Sequence, residues 1–169
     1  IYPLKNTHLI VSIVEQIKKV KKDINVGIIG DPIPSYQDYY DKIIIDIAKK
    51  SLKDNIHFLG QIENNNIPKY LSKSKILLHL SKQETGPMVV VESLALGLFI
   101  ISNNVGNVSQ IISENNGIIL KNLDINYISN EIIKSLKIIS KKKPLANDIK
   151  NKYCPDSIAI KTYNAYKDL

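Results

Sequence analysis

A chain of 169 residues has the size of one domain and can enclose a substantial hydrophobic core. Hydrophobic residues make up 44% and charged residues 23%, which is ordinary for a soluble globular protein, and no apolar run approaches the roughly 18 residues of a membrane-spanning helix. The net charge is +7, and all 23 basic residues are Lys, which argues against a dedicated nucleic-acid-binding protein because such proteins use Arg for bidentate contacts.

The lysine excess has two interpretations. It can attract the phosphates of a nucleotide, a nucleic acid or an anionic lipid, or it can reflect a coding bias that also enriches Ile and Asn. The single cysteine, Cys154, is unable to form an internal disulfide and is typical of a reducing cytoplasm. Cys154 and the three histidines show no metal-ligand spacing, so no metal site is expected. The first residues resemble no signal peptide and lack Met, and the chain is expected to begin partway through a longer protein.

Hydrophobic periodicity predicts helices and strands in alternation. Residues 6–22 carry apolar side chains at helical spacing, with Val20 on the inner face, and residues 26–29 form a short apolar strand. A second helix is expected to begin near Ser35, which can cap it, and to turn Ile44 inward with its apolar neighbours.

The rest of the chain continues the same alternation. In chain order the predicted elements are a strand at 56–59, a short helix around 67–71, a strand at 76–80, a helix at 87–96, a strand at 99–102, a short helix at 108–113, a strand at 117–120, and helices at 125–139 and 156–168. Gly97 is expected to close the helix at 87–96 from the C′ position.

Short, continuous apolar strands that alternate with helices are typical of a parallel sheet covered on both faces. In such sheets ligands bind beyond the carboxyl ends of the strands, where loops lead into helices. Functional residues are therefore expected just after Ile29, Leu59, Leu80 and Ser102.

The loop between the third predicted strand and the helix that follows it carries the most informative polar pattern. Thr85 or Gly86 can serve as the N-cap, and Pro87 suits the first helical position. The backbone N–H groups of Met88 and Val89 would then point out of the helix and form, with the helix dipole, a site suited to a phosphate.

Two carboxylates flank this helix start, Glu84 in the loop and Glu92 within the helix. Carboxylates accept hydrogen bonds from neighbouring sugar hydroxyls, so one could hold a hexose and the other a ribose. The alternative interpretation is that Glu84 is a surface loop residue and Glu92 an exposed helix residue. His79 also has two interpretations, a side chain that faces the cleft or a core histidine with satisfied hydrogen bonds.

Glu84 and Glu92 together resemble the E-x7-E signature of family 4 of the retaining glycosyltransferases, which have the two-domain GT-B architecture. Further segments resemble that family in register over roughly residues 1–120. They are 2–6 (the end of G-R-x-x-x-x-K), 56–60 (V-x-F-L-G), 67–74 (L-x-x-Y-x-x-A), 76–81 (a strand ending in P-S), 93–100 (A-x-A-x-G-x-P-V), 105–112 (G-G-x-x-E-I-I) and 116–119 (N-G-x-L). The chain departs from the family pattern at three positions, which are Gly86 in place of an aromatic residue, Asn107 in place of a glycine and Gln110 in place of a glutamate.

The resemblance implies two catalytic residues. Lys5 would contact the diphosphate of the donor, together with a family Arg that would fall just before Ile1. Glu84 would hold hydroxyls of the transferred sugar.

The resemblance also implies the residues that bind the donor. Glu92 would bind the ribose, and the main chain at Gln61 and Ile62 would touch the base. The backbone facing the diphosphate and sugar would come from Gly86, Pro87, Met88 and Val89.

The fold implied is α/β, a Rossmann-like parallel sheet with helices on both faces that forms one half of a GT-B fold. Residues 1–169 would be a nucleotide-sugar-binding domain with a truncated first strand. The resemblance implies transfer of a hexose from a nucleotide-diphosphate sugar, with retention of configuration, to a sugar or lipid-linked acceptor bound with an N-terminal domain outside this chain. The isolated domain is therefore expected to be inactive.

No cofactor or metal is expected, because protein charge would replace Mg²⁺ at the diphosphate. No nucleic-acid partner is expected either, since all the basic residues are Lys. The expected location is the cytoplasm, and peripheral contact with the inner membrane face stays open because many members of the family act on lipid-linked acceptors.

Two alternative functions remain. A sugar-nucleotide 2-epimerase would share the two-domain architecture, and a non-catalytic module could bind nucleotides or other anions. Nucleotide binding that depends on Glu92 would favour the transferase. A lipid or nucleic-acid binder would ignore free nucleotides and lose affinity steeply with salt.

Overall fold

The computed structural model describes residues 1–139 together with 153, 156, 157, 159 and 160. Within that part of the chain, five strands alternate with six α-helices, as the hydrophobic periodicity predicts. The strands are β1 (Val26–Ile28), β2 (Ile56–Phe58), β3 (Ile76–His79), β4 (Phe99–Asn103) and β5 (Gly117–Leu120). The helices are α1 (Thr7–Lys18), α2 (Gln37–Lys49), α3 (Ile67–Leu71), α4 (Met88–Ala95), α5 (Val108–Ile111) and α6 (Ile125–Ile139).

The first helix is shorter than its apolar pattern predicts. α1 ends at Lys18, and the chain then turns toward β1. Val20, which was expected on the inner face, lies in this turn and is 71% exposed. Of the last predicted helix, residues 156, 157, 159 and 160 are helical, and the remainder lies outside the described residues, as does Cys154.

The second helix begins later than predicted. A 3-10 turn at Pro34–Tyr36 occupies its expected start, so Ser35 does not cap it. Ile43 and Ile47 take the buried positions of α2, which leaves Ile44 on the outer side of the helix rather than in the core.

The strand pairs are parallel, as predicted, but hydrogen bonds join the strands into two sheets. β1 pairs with β2, with Val26 opposite Ile56. β3, β4 and β5 form the second sheet, with β4 in the middle. The predicted parallel strand direction is therefore confirmed, and the described strands form two hydrogen-bonded groups rather than one continuous ladder.

The helix α1 packs against both sheets. Its Val11 and Val14 belong to the core cluster beneath β1 and β2, whereas Ile13 and Ile17 belong to the cluster between the larger sheet and α6. Burial of these apolar side chains on one helix stabilises the two sheets against each other.

Helices cover both faces of the larger sheet. Along β4, Ile101 lies in the cluster with α1 and α6, and its neighbour Ile100 lies in the opposite cluster with Val90 of α4 and Val108 of α5. Successive strand residues point to opposite faces, and both isoleucines are fully buried. Because the strands run in parallel, the loop from β3 to α4 and the loop from β4 to α5 emerge at the same edge.

Candidate functional site

Glu84 lies in the loop between β3 and α4, and three side chains contact one of its two carboxylate oxygens, Oε1. They are Lys5 through Nζ, Ser81 through Oγ at 2.6 Å and His79 through Nε2 at 3.4 Å. Burial alone would raise the pKa of the Glu84 carboxyl, but the hydrogen bonds from Lys5 and Ser81 and the charge of Lys5 lower it below its usual value. Glu84 is therefore ionised at neutral pH, and its other oxygen, Oε2, accepts no hydrogen bond from the described residues.

Lys5 reaches Glu84 because the segment before α1 is fixed to the end of β3. The buried Asn6 donates from Nδ2 to the backbone oxygen of Leu80 at 2.8 Å, and Lys82 donates its backbone N–H to the oxygen of Leu4 at 2.7 Å. The structure thus brings together the two residues expected to be catalytic, although 79 positions separate them. The supporting role of Asn6 is a feature that sequence reasoning missed.

The start of α4 differs in detail from the prediction. Pro87 has an extended backbone, with ψ 96°, and takes the N-cap position, so neither Thr85 nor Gly86 caps the helix and Pro87 is not its first residue. The N–H groups of Met88 and Val89 find no hydrogen-bond acceptor among the described residues. Together with the helix dipole they form a positive terminus that follows the Glu84 loop.

The opposite end of α4 agrees with the prediction. Gly97 has φ 82° and donates its N–H to the oxygen of Leu94 at 2.9 Å, while Leu98 donates to Ser93 at 2.9 Å. This pair of bonds is a Schellman motif with glycine at C′, and it fixes the length of the helix.

Glu92 lies on the outer face of α4. The buried positions of the helix are Val90, Ser93 and Leu94, and Glu92 follows the 64% exposed Met88 by one turn. Glu92 is exposed, and its side chain makes no hydrogen bond or ion pair with the described residues. The structure therefore places Glu84 in a polar network and Glu92 on an open helix surface.

The residues expected near the nucleotide base line a cavity. Gln61 and Ile62 follow β2 and contribute to a cavity of about 550 Å³, to which Tyr70 and Lys73 of α3 and its C-terminal turn also belong. The Nζ of Lys73 lies 5.8 Å from the ring centre of Tyr70. Neither Glu84 nor Glu92 lines this cavity.

Gly106, in the loop after β4, packs against the backbone of the Glu84 loop. It has φ 57°, and a Cβ added there would lie 2.7 Å from the backbone oxygen of Thr85. The N–H of the next residue, Asn107, donates to the same Thr85 oxygen at 3.2 Å. Only glycine fits this approach without a shift, so the loop after β4 holds the Glu84 loop in place.

His79 combines the two interpretations that its sequence position allows. It is buried, at 7% exposure, and its Nδ1 lies 2.9 Å from Oγ of Ser102 in the core, while Nε2 faces Glu84. Burial lowers the pKa of His79 despite the nearby Glu84 carboxylate, so the imidazole is neutral at neutral pH.

Metal clusters and membrane-spanning helices are two other features that bear on function. Within residues 1–139 and the few described beyond them, no group of three or more His, Cys, Asp or Glu side chains is arranged to hold a metal ion. No helix in the described part of the chain has the length and apolar character needed to cross a bilayer.

Known structures share this fold. The structure of Anabaena Alr3699/HepE in complex with UDP matches over 99% of this chain and 46% of HepE, with a TM-score of 0.87 and 18% sequence identity. The C-terminal domain of the group 1 family glycosyl transferase LpcC from Francisella tularensis matches over 90% of this chain and 81% of that domain, with a TM-score of 0.79 and 21% identity. These likenesses confirm the expected fold, a Rossmann-like half of the GT-B architecture.

Sequence comparison identifies the family. One component of the human phosphatidylinositol N-acetylglucosaminyltransferase is 27% identical over 113 residues, which are 66% of this chain and 22% of the human protein. The chain spans less than half the length of both this relative and HepE, at 22% and 46%. The family model of the group 1 glycosyl transferases matches residues 1–152. The chain belongs to the group 1 glycosyl transferases.

Proposed function

We propose that this chain is the donor-binding domain of a family 4 retaining hexosyltransferase, which transfers a sugar from a nucleotide-diphosphate sugar to a sugar or lipid-linked acceptor. The observation that carries the proposal is the arrangement of Lys5, Glu84 and the open start of α4 at one edge of the sheet. A cation and a helix N-terminus suit the diphosphate, and a carboxylate suits the sugar hydroxyls. HepE, which has this fold, has been crystallised with UDP and with UDP-glucose, so uridine nucleotides are the first probes to test.

The diphosphate would lie between Lys5 and the start of α4. The ammonium group of Lys5 has three donors, of which Glu84 takes one, and its side chain is 43% exposed. The N–H groups of Met88 and Val89 would donate to phosphate oxygens from the other side, and Gly86 offers backbone without a side chain in the way. Pro87 is buried and would hold this turn in its extended form.

The transferred sugar would lie against Glu84. Because the described residues contact only Oε1, the second oxygen is available to accept from sugar hydroxyls. The lowered pKa keeps the carboxylate ionised, and an ionised carboxylate accepts stronger hydrogen bonds than a neutral one.

The nucleoside would extend away from this centre. The Glu92 carboxylate is exposed and has no polar partner in the described part of the chain, so it is available for the ribose hydroxyls. Gln61 and Ile62 would touch the base in the cavity beside α3.

In the proposed reaction, the diphosphate leaves and the acceptor attacks on the same face of the sugar, which retains the configuration. Lys5 and the start of α4 would stabilise the charge that develops on the leaving group. The protein thereby supplies the positive charge, and the proposal includes no metal or other cofactor. The acceptor would bind with a second domain, so this domain alone is expected to bind the donor and to transfer nothing. We place the whole protein in the cytoplasm. If its acceptor is lipid-linked, the protein would act at the inner face of the membrane.

Calorimetric titration of the full-length protein with UDP, GDP and ADP tests the proposal. One of the three is expected to bind, and Glu92→Ala should weaken that binding about tenfold, because a hydrogen bond to a charged group is lost. Glu114→Ala, which removes an exposed glutamate from the turn before β5, is the matched control and should leave the affinity unchanged. Equal affinities of Glu92→Ala and wild type would contradict the ribose contact.

The same experiment separates the alternatives. Binding to anionic vesicles or nucleic acid that weakens steeply with salt, with no binding of nucleotides, would indicate an anion-binding module. Conversion of a nucleotide sugar to its 2-epimer without acceptor would indicate an epimerase. Sugar transfer by residues 1–169 alone would contradict the assignment of the acceptor to a second domain.

A further inference from the structure

His79 connects the rigid core of the sheet to the Glu84 carboxylate. It is the last residue of β3, and its neighbour across the strand pair is Ser102 of β4, which is fully buried. The Nδ1 of His79 lies 2.9 Å from Oγ of Ser102, and its Nε2 lies 3.4 Å from Oε1 of Glu84. The imidazole therefore reaches from the interior of the domain to the loop that carries the proposed sugar ligand.

A hydrogen bond from His79 to Glu84 requires a particular tautomer of the imidazole. A neutral imidazole has one N–H, and an ionised carboxylate can only accept, so the proton belongs on Nε2, facing Glu84. Nδ1 then accepts from the Ser102 hydroxyl, which must turn its single proton to the imidazole from the backbone oxygen of Asn103, its acceptor at 2.9 Å. Lys5 is the cation that faces the same carboxylate from the segment before α1.

We infer that His79 is a positioning residue for Glu84, which holds Oε1 against the protein and leaves Oε2 directed at the sugar of the donor. The inference rests on the proposed function, because it assigns the sugar to Glu84. Lys5 and Ser81 contact the same oxygen. The Lys5 side chain is 43% exposed, whereas Ser81 is buried and accepts at its backbone oxygen from Nδ2 of Asn103, the last residue of β4, at 2.8 Å. His79 is itself a residue of β3, and together with Ser81 it ties the orientation of the carboxylate to the buried sheet.

Affinity measurements with two ligands isolate this role. In the full-length protein, the ratio of the affinities for UDP-glucose and UDP reports the contribution of the sugar. His79→Leu removes the donor from a buried site and should lower this ratio about three- to tenfold, the effect of one hydrogen bond, with UDP binding unchanged. His79→Gln can still donate to Glu84 and should keep most of the ratio.

If His79 only fills space in the core, the two variants should rank in the opposite order. A buried apolar leucine would then be tolerated at least as well as glutamine, and both ligands would lose affinity together, which would overturn the inference. His57→Leu is the matched control, since His57 is exposed on β2 and bonds to Asn25 at 3.2 Å. It should leave the ratio as in wild type.

The tautomer of His79 gives a readout that needs no ligand. The chain has three histidines, so the ¹⁵N imidazole spectrum is simple to assign. The expected result is an Nε2–H tautomer of His79 whose signals shift in Glu84→Gln, and an Nδ1–H tautomer would overturn the inference. An Nε2–H tautomer that responds to Glu84→Gln, in a protein that binds neither UDP nor UDP-glucose, would confirm the His79–Glu84 contact and show that the donor carries another base or that the proposed function is wrong.

Discussion

The close approach of Gly106 to the Glu84 loop predicts a large effect of Gly106→Ala. An alanine held at φ 57° costs roughly 1–2 kcal/mol in the left-handed region. Its Cβ would lie 2.7 Å from the oxygen of Thr85 and 2.9 Å from that of Glu84, both backbone atoms, and such overpacking costs about 1–3 kcal/mol. The free energy of unfolding should fall by about 2–5 kcal/mol, which for a chain of this size lowers the melting temperature by roughly 5–15 °C.

Gly97→Ala is the matched control for this experiment. Gly97 also has a positive φ, of 82°, but a Cβ there would lie in open space, with no neighbouring group of the described residues within 4 Å. The free energy of unfolding of both variants is measured in urea. For Gly97→Ala it should fall only by the conformational cost of the positive φ, about 1–2 kcal/mol. A loss in Gly106→Ala no larger than in Gly97→Ala would refute the argument that the loop after β4 buttresses the Glu84 loop. Gly106→Ala should also weaken the binding of UDP-glucose more than the binding of UDP, because it displaces the loop that carries Glu84.

Three further outcomes are expected. Lys5→Met should weaken UDP-glucose binding about tenfold in calorimetry, because the diphosphate loses a charge-assisted donor. The control Lys82→Met should change the affinity less than about twofold, and equal losses in the two variants would contradict the role of Lys5. Asn6→Ala should cost roughly 1–3 kcal/mol in urea unfolding, because the backbone oxygen of the buried Leu80 loses its donor, and a neutral result would show that this bond is dispensable. Burial lowers the pKa of His79 in the folded state, so the unfolded chain binds more protons between that lowered value and 6.5. The free energy of unfolding should therefore fall as the pH drops below 6.5, and it should fall less steeply in His79→Gln. Parallel pH profiles of the two proteins would contradict the lowered pKa.

Local patterns predicted the elements of this fold well, because each pattern reflects a local cause. The glycine at position 97 fixes a helix end through its own backbone freedom, and the Schellman bonds confirm it. Periodicity did not reveal where α1 ends, since Val20 continues the apolar spacing although the chain has already turned away from the core. The same limit applies to Ile44, because two better-placed isoleucines fill the available core surface of α2.

Long-range contacts explain what the sequence did not reveal about the site. The ion pair of Lys5 and Glu84 depends on the bond from Asn6 to Leu80, which joins positions 74 residues apart. The position of His79 was ambiguous because strand periodicity indicates burial but not the neighbours on adjacent strands. Family resemblance indicated that Glu84 and Glu92 belong to one site, and the contacts of Glu84 with its neighbours became apparent only in the folded chain.

The double attachment of α1 has a consequence for how the domain opens. The two sheets share no ladder hydrogen bonds, yet each loses part of its core if α1 detaches. Because loss of either sheet removes part of the packing of α1 and so weakens the other, we expect heat or denaturant to unfold the described part of the domain in one cooperative transition. Amide protons in the middle of α1 should accordingly exchange with solvent only through global unfolding, at the slowest rates in the molecule.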